Sequence, residues 1–282
     1  MWRYKIMKKG KVIAVVNQKG GVGKTTTTFN LGACLVEQGK KVLLVDLDQQ
    51  GNLTYCMGHD VPDDVNKTIA DIMNHEIMDT EYDIQDYIGH YEILSVSEGL
   101  DYICCNVLMS TVEVNLVNAY CREAILKNIL EKVKDNYDYI LLDCGPSLGM
   151  ITINALAAAD SVIIPMEAEK FAALGLELLL KNILRVKRHL NAELEIEGIL
   201  FVAVPKQPQL ESKATEKEVT EKFGTAIKVY DYNIPRLTEV AKAIRKQVPM
   251  IMYEDKKNGI YLGESIVADL YRKLAKEVMA NE

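Results

Sequence analysis

Gln18-Lys19-Gly20-Gly21-Val22-Gly23-Lys24-Thr25-Thr26 is the stretch whose reading decides the fold of this 282-residue chain. Ahead of it, Val12–Val16 is an apolar, β-branched run that ends in Asn17; after it, Lys24–Gln38 has the length and spacing of a helix. A glycine-rich turn between a buried strand and a helix lets backbone N–H groups close on an anion, through dihedrals that only glycine adopts freely. The helix that starts at Lys24 points the positive end of its dipole at the same place. Lys24 can reach the β- and γ-phosphates of a nucleotide, and the Thr25 hydroxyl can ligate magnesium. A plain turn would not require Gly-Lys-Thr at that offset. The stretch is read as a phosphate loop that binds ATP and Mg2+, with Lys19, Gly20, Gly21, Val22, Gly23, Lys24, Thr25 and Thr26 around the nucleotide.

Outward from the loop the same alternation repeats. Val42–Val45, Tyr139–Leu142, Ser161–Ile164, Ile199–Val204 and Ala226–Val229 are short apolar runs without strict alternation, the signature of strands buried on both faces of a parallel sheet. Val114–Asp135, Ala172–Leu190, Glu211–Phe223 and Glu264–Met279 are helix-length segments between and after them. Alternating strands and helices imply βαβ units with right-handed crossovers, hence an α/β, doubly wound, mostly parallel sheet flanked by helices. One domain over residues 1–282 is expected, with residues 60–92 as an acidic surface insertion of short helices.

Composition narrows the function classes. Apolar residues are 49% and charged residues 26%, and Trp2 is the sole tryptophan, so the core must be largely aliphatic. The basic N-terminal segment Met1–Lys11 lacks the apolar stretch of a secretory signal, and no window has the ~18 apolar residues of a membrane span. The six cysteines form no C-x-x-C, as expected of reduced and mostly buried thiols in a cytoplasmic protein. Residues 60–92 carry ten carboxylates against Lys67 alone, a net of −9, so the remainder of the chain sums to +2 of the total −7. A basic face for nucleic acid is therefore compatible with an acidic chain.

The phosphate loop departs from the common G-x-x-x-x-G-K-[ST] pattern by placing Gln18 at the first glycine, followed by Lys19. Lys-Gly-Gly-Val-Gly-Lys-Thr-Thr resembles the deviant Walker A motif of the ParA/MinD family of P-loop ATPases. Asp46-Leu47-Asp48-Gln49-Gln50-Gly51-Asn52 is similar to that family's D-L-D-P-Q-G-N, with Gln49 in place of proline. Asp143-Cys144-Gly145-Pro146-Ser147-Leu148-Gly149 is similar to D-C-P-P-S-L-G, with Gly145 in place of the first proline. Ile164-Pro165, Ala173-Leu174-Gly175-Leu176 and Ile234-Pro235-Arg236 resemble later family segments, so the likeness spans nearly the whole chain and is nearest to the ParA (Soj-type) partition proteins.

Chemistry and resemblance together assign roles. Asp143 closes an apolar strand in the manner of a magnesium-binding aspartate. Asp48 ends another strand beside the loop, where a carboxylate can orient the water that attacks the γ-phosphate, as the family's second D-x-D aspartate does. Asp46 either shapes the magnesium region or binds loop backbone. The resemblance implies that Pro235 lies on the nucleotide. It also implies that Lys19 reaches across an ATP sandwich dimer to the partner's nucleotide, as an arginine finger does, so Lys19, Lys24 and Asp48 are the expected catalytic set. With no strong general base in view, turnover should be slow and partner-stimulated.

Two basic groups stand out: Lys181, Arg185 and Arg188 on one helix face, and Arg236, Lys242, Arg245 and Lys246 near the late loop. Each is either a solvated face or a site for sequence-independent contact with DNA phosphates. The resemblance favours the second group, a homodimer as the binding species and a ParB-like partner, although the family's arginine-rich P-R-x-x-R-L-S-E-A is altered here to Pro235-Arg236-Leu237-Thr238-Glu239-Val240-Ala241. The alternative is a MinD-like, membrane-associated positioning ATPase. That would require a basic amphipathic C-terminal helix, whereas Ile266, Leu270, Leu274 and Val278 are expected to face the core. The short segment ahead of the first strand is expected to leave no room for a helix-turn-helix domain.

Overall fold

The computed structural model describes residues 10–93, 99–205, 207, 210–255 and 263–281; the basic residues 1–9 noted above lie outside them. Seven strands form one sheet: β1 (Lys11–Val15), β2 (Val42–Asp46), β3 (Ile88–Tyr91), β4 (Leu100–Ile103), β5 (Tyr139–Asp143), β6 (Ser161–Met166) and β7 (Glu195–Phe201), in the order β3-β4-β2-β5-β1-β6-β7. Every neighbouring pair is parallel except β3 with β4. Around it lie α1 (Lys24–Glu37), α2 (Asn52–Cys56), α3 (Ile69–Met78), α4 (Met109–Leu116), α5 (Ile125–Glu131), α6 (Met150–Ala158), α7 (Ala172–His189), α8 (Leu210–Phe223), α9 (Thr238–Arg245) and α10 (Ile266–Ala280).

The period of two along the central strands divides the core. Ile13, Leu44, Leu141 and Ile163 pack with α1 and α10, while Val12, Ala14, Val45, Leu142 and Val162 pack with residues of α3–α7. Pro165 sits in β6 without breaking the ladder. β1 pairs no further than Ile163, and the Pro165 carbonyl accepts Asn17 Nδ2 at 2.7 Å.

Several expectations need correction. Val114–Asp135 is not one helix. Buried Asn154 on α6 accepts from Leu126 N (3.1 Å) and donates to Arg122 O (2.7 Å), which starts α5 afresh, and Cys121 turns at φ 48°. Residues 60–92 hold α3, whose Ile69, Ala70, Ile72 and Met73 are buried, and also the edge strand β3. Ala226–Val229 is not a strand; Val229 makes a single bridge to Ile199. On α10 the buried stripe is Val267, Ala268, Tyr271, Leu274, Ala275 and Val278, one position round from the expected one, so that Ile266 is exposed.

Candidate nucleotide site

The carboxyl ends of the central strands converge where the chain reverses direction across the sheet, the usual ligand position in such folds. Strand register aligns Asp143 with Val15 on one side and with Asp46 on the other, which brings the phosphate loop and both acidic segments to one edge. Gly21 (φ 76°) and Gly23 (φ 71°) take left-handed dihedrals, and Gly23, the N-cap of α1, offers no side-chain cap. Its first-turn amides therefore suit an anion.

Lys24 is buried and its Nζ donates to Lys19 O at 3.1 Å. Burial pulls its pKa down, against the opposing pull of Asp143 and Asp48. Thr25 Oγ1 donates to Asp143 Oδ2 at 2.6 Å, and Thr28 Oγ1 lies 3.4 Å from the other carboxylate oxygen. Asp143 is fully buried. Desolvation and neighbouring Asp46 push its pKa well up, while Thr25 and Lys24 favour the carboxylate. Thr25 and Asp143 thus present adjacent hard oxygens of the type that would suit a magnesium ion. The described residues contain no group of three or more His, Cys, Asp or Glu placed to hold a metal by themselves.

Asp48 lines the same cleft, about 410 Å3 in volume, with Gly20, Lys24, Thr25 and Pro146, and its Oδ1 accepts Gln50 N at 3.1 Å. Asp46 is different: Oδ1 accepts Asp48 N (3.1 Å), and Oδ2 accepts Thr54 N and Thr54 Oγ1 (2.8 Å each). Both its oxygens are committed to the chain. Of the two readings of Asp46, this geometry favours loop backbone over magnesium.

A second cleft of about 430 Å3 adjoins the first across Gly21, Gly23, Thr26 and Ile244, and it is mainly apolar. Pro235 lines it, joined by Val202, Leu237 and Tyr271, which the sequence reading did not single out. Tyr271 could have been found only as a tyrosine on the buried stripe of the last helix.

Lys19 is half exposed and its ammonium is paired with Glu169, away from its own nucleotide cleft; its amide donates to Asn17 Oδ1 at 3.0 Å. The late basic group is split. Arg236 binds Glu167 (3.1 Å) and Ala203 O (3.2 Å), Lys242 binds Asp255 (3.0 Å), and Lys246 donates to Glu254 O (3.1 Å). Arg245 is exposed and makes no ion pair among the described residues. Lys181 pairs with Glu177, while Arg185 and Arg188 are exposed.

Known proteins match this arrangement along most of their length. The family model described as AAA domain matches residues 10–196. The chain is 44% identical to the sporulation initiation inhibitor protein Soj of Bacillus subtilis over 96% of its own length and 99% of that protein's. It is 40% identical to the chromosome-partitioning ATPase Soj of Treponema pallidum, covering 97% and 98%. Among solved structures, it resembles a cobyrinic acid a,c-diamide synthase of Mycobacterium smegmatis with bound ADP and magnesium: TM-score 0.78, 31% identity, 96% and 95% coverage. Cyanothece McdA, at 21% identity and TM-score 0.79, shares the fold. With its deviant phosphate loop, its strand-end aspartates and these relatives, the chain belongs to the AAA domain family and, within it, to the ParA/MinD-type P-loop ATPases of the Soj kind.

Proposed function

We propose that this protein is a ParA-like ATPase that hydrolyses ATP in a nucleotide sandwich dimer, binds duplex DNA without sequence preference and drives DNA partition with a ParB-like partner. The observation that carries the reading is the 2.6 Å contact of Thr25 with Asp143 beside a buried Lys24, at the foot of a cleft that Asp48 overlooks. The amides of residues 20–26 would cradle the phosphates, Lys24 would neutralise the β- and γ-oxygens, and Thr25 and Asp143 would hold magnesium. Magnesium, when bound, offsets phosphate charge. Asp48 would orient the attacking water, and the apolar cleft containing Pro235 would take the base.

Lys19 would complete the partner's site after exchanging Glu169 for the facing nucleotide. Because Asp48 is the one carboxylate lining that cleft among the described residues, turnover would be weak until the partner protein acts. Residues 1–282 are read as one ATPase domain of a cytoplasmic protein that joins the nucleoid when ATP-bound. For DNA contact Arg245 is available as it stands, whereas Arg236, Lys242 and Lys246 would have to exchange intramolecular partners. The MinD-like alternative loses support at α10, whose apolar stripe is spent against the core, and no helix of the described residues is long and apolar enough to cross a membrane.

The test is sedimentation of the full chain with magnesium and a slowly hydrolysed ATP analogue, with and without random-sequence duplex. Nucleotide-dependent dimers that co-sediment with DNA are expected. A species that stays monomeric and free of DNA in saturating nucleotide would refute the reading.

A further inference from the structure

We infer that Asp46 and Thr54 form a buried clamp that positions Asp48 for the hydrolytic step, and that neither contacts nucleotide or metal. This rests on the water-orienting role proposed above for Asp48.

Asp48 follows β2 by two residues, after Leu47, whose side chain is buried in the core. Leu47 N donates to Asp143 O (2.9 Å), Gln50 N to Asp48 Oδ1 (3.1 Å) and Gly51 N to Asp48 O (2.9 Å). Two of these three bonds are internal to the loop and would move with it. The attachment of Asp48's own backbone is its amide, donated to Asp46 Oδ1 at 3.1 Å. Asp46 is wholly buried, and its other oxygen accepts both the amide and the hydroxyl of Thr54 on α2, at 2.8 Å each. One carboxylate therefore ties the start of the loop to the helix at its end.

Thr54 carries the connection one strand further. Its Oγ1 also accepts Cys105 N at 2.8 Å, just beyond the end of β4. The three groups hydrogen-bonded to Asp46 are donors, two amides and a hydroxyl whose other acceptor in reach is Cys105 O at 3.2 Å. A carboxylate satisfies all three, whereas an asparagine would turn its own N–H2 against at least one of them. A buried, fully satisfied network of this kind holds one geometry, and removing a member leaves an unmet donor that the loop relaxes to satisfy. Reaction rates are steep in position: a misplacement of about 1 Å can cost about 100-fold.

The variants are Thr54→Val, which keeps the shape and removes the hydroxyl, Thr54→Ser, which restores it, and Asp46→Asn, each made also in an Asp48→Ala background. Phosphate release from saturating Mg·ATP and calorimetric ATP affinity are measured on the full chain, with thermal melting to confirm folding. Expected are a kcat lowered about 10- to 100-fold in Thr54→Val and Asp46→Asn, ATP affinity within about twofold, recovery in Thr54→Ser, and no further loss in the Asp48→Ala background. Should Asp46→Asn fail to fold, Thr54→Val decides alone. Turnover of Thr54→Val within about twofold of wild type overturns the clamp, as does an additive loss in the Asp48→Ala background. Normal turnover by Asp48→Ala itself would overturn both the water-orienting role and the clamp built on it, a result distinct from an intact Asp48 effect with a silent Thr54.

Discussion

Lys19→Ala separates a dimer that shares its active sites from a self-sufficient monomer, because the two readings differ by several kcal/mol. Within one subunit the side chain does little. Its ammonium pairs with Glu169, both side chains being about half exposed (52% and 53%), and such a pair contributes about 0–1 kcal/mol. What Lys19 gives its own loop comes from the backbone: its carbonyl accepts Lys24 Nζ and its amide donates to Asn17, and both survive in alanine. Melting should thus shift by no more than about 4 °C, and monomer affinity for ATP by no more than about twofold. A residue that completes the partner's site in the manner of an arginine finger supplies ~10³-fold or more in rate, about 4 kcal/mol. Nothing in the monomer accounts for a loss of that size. The assay is turnover at saturating Mg·ATP alongside sedimentation with a slowly hydrolysed analogue, with Glu169→Ala as a control that frees Lys19 and should retain turnover. A Lys19→Ala protein that dimerises and hydrolyses normally would refute the sandwich mechanism, and a melting point lowered by 10 °C or so would reassign the defect to folding.

Lys24→Ala should abolish ATP binding by calorimetry, since it removes the one ammonium buried at the phosphate site among the described residues; unchanged affinity would overturn the site. Arg245→Glu should weaken ATP-dependent binding to any duplex more than Lys242→Glu or Lys246→Glu, whose wild-type side chains already have partners, and should flatten the salt dependence; a filter assay with the reverse order would relocate the DNA face. Gly51→Ala should cost about 2–4 kcal/mol by denaturant unfolding, because Gly51 sits at φ 62° and a Cβ there would lie 2.5 Å from Pro62 Cβ; Gly39→Ala, at φ 75° but with open space around it, should cost about 1 kcal/mol. Thiol titration of the native protein should find one rapidly reacting cysteine, Cys121, since the other five are buried and burial raises the pKa of Cys56 and Cys104 to about 12; five or six fast thiols would contradict that core.

Sequence alone determined the features whose physics is local. Gly20 to Thr26 read as an anion-binding loop because glycine dihedrals, a helix start and a lysine occur within seven residues. Val42–Val45 and Tyr139–Leu142 were legible as central strands because apolar runs of that length without alternation are buried on both faces, and an aspartate that ends such a strand needs a partner. Tertiary structure decided whatever depends on groups distant in the chain. β3 and β4 were illegible because Gly89, His90 and Asp101 interrupt their apolar character, which pairing rather than composition sustains. The break between α4 and α5 was invisible because its cause, Asn154, lies 28 residues beyond Leu126, whose amide it accepts in the first turn of α5. The role of Asp46 stayed open because its sequence neighbour Asp48 suggested metal, while the donors that fill its oxygens include Thr54, eight residues on. The apolar cleft brings Gly23, Val202, Pro235 and Tyr271 together from four segments that show no common pattern. Charge is the clearest case: Arg236, Lys242, Arg245 and Lys246 are equivalent cations in the sequence, and only the folded chain gives three of them partners and leaves Arg245 exposed, because ion pairing depends on distance in space.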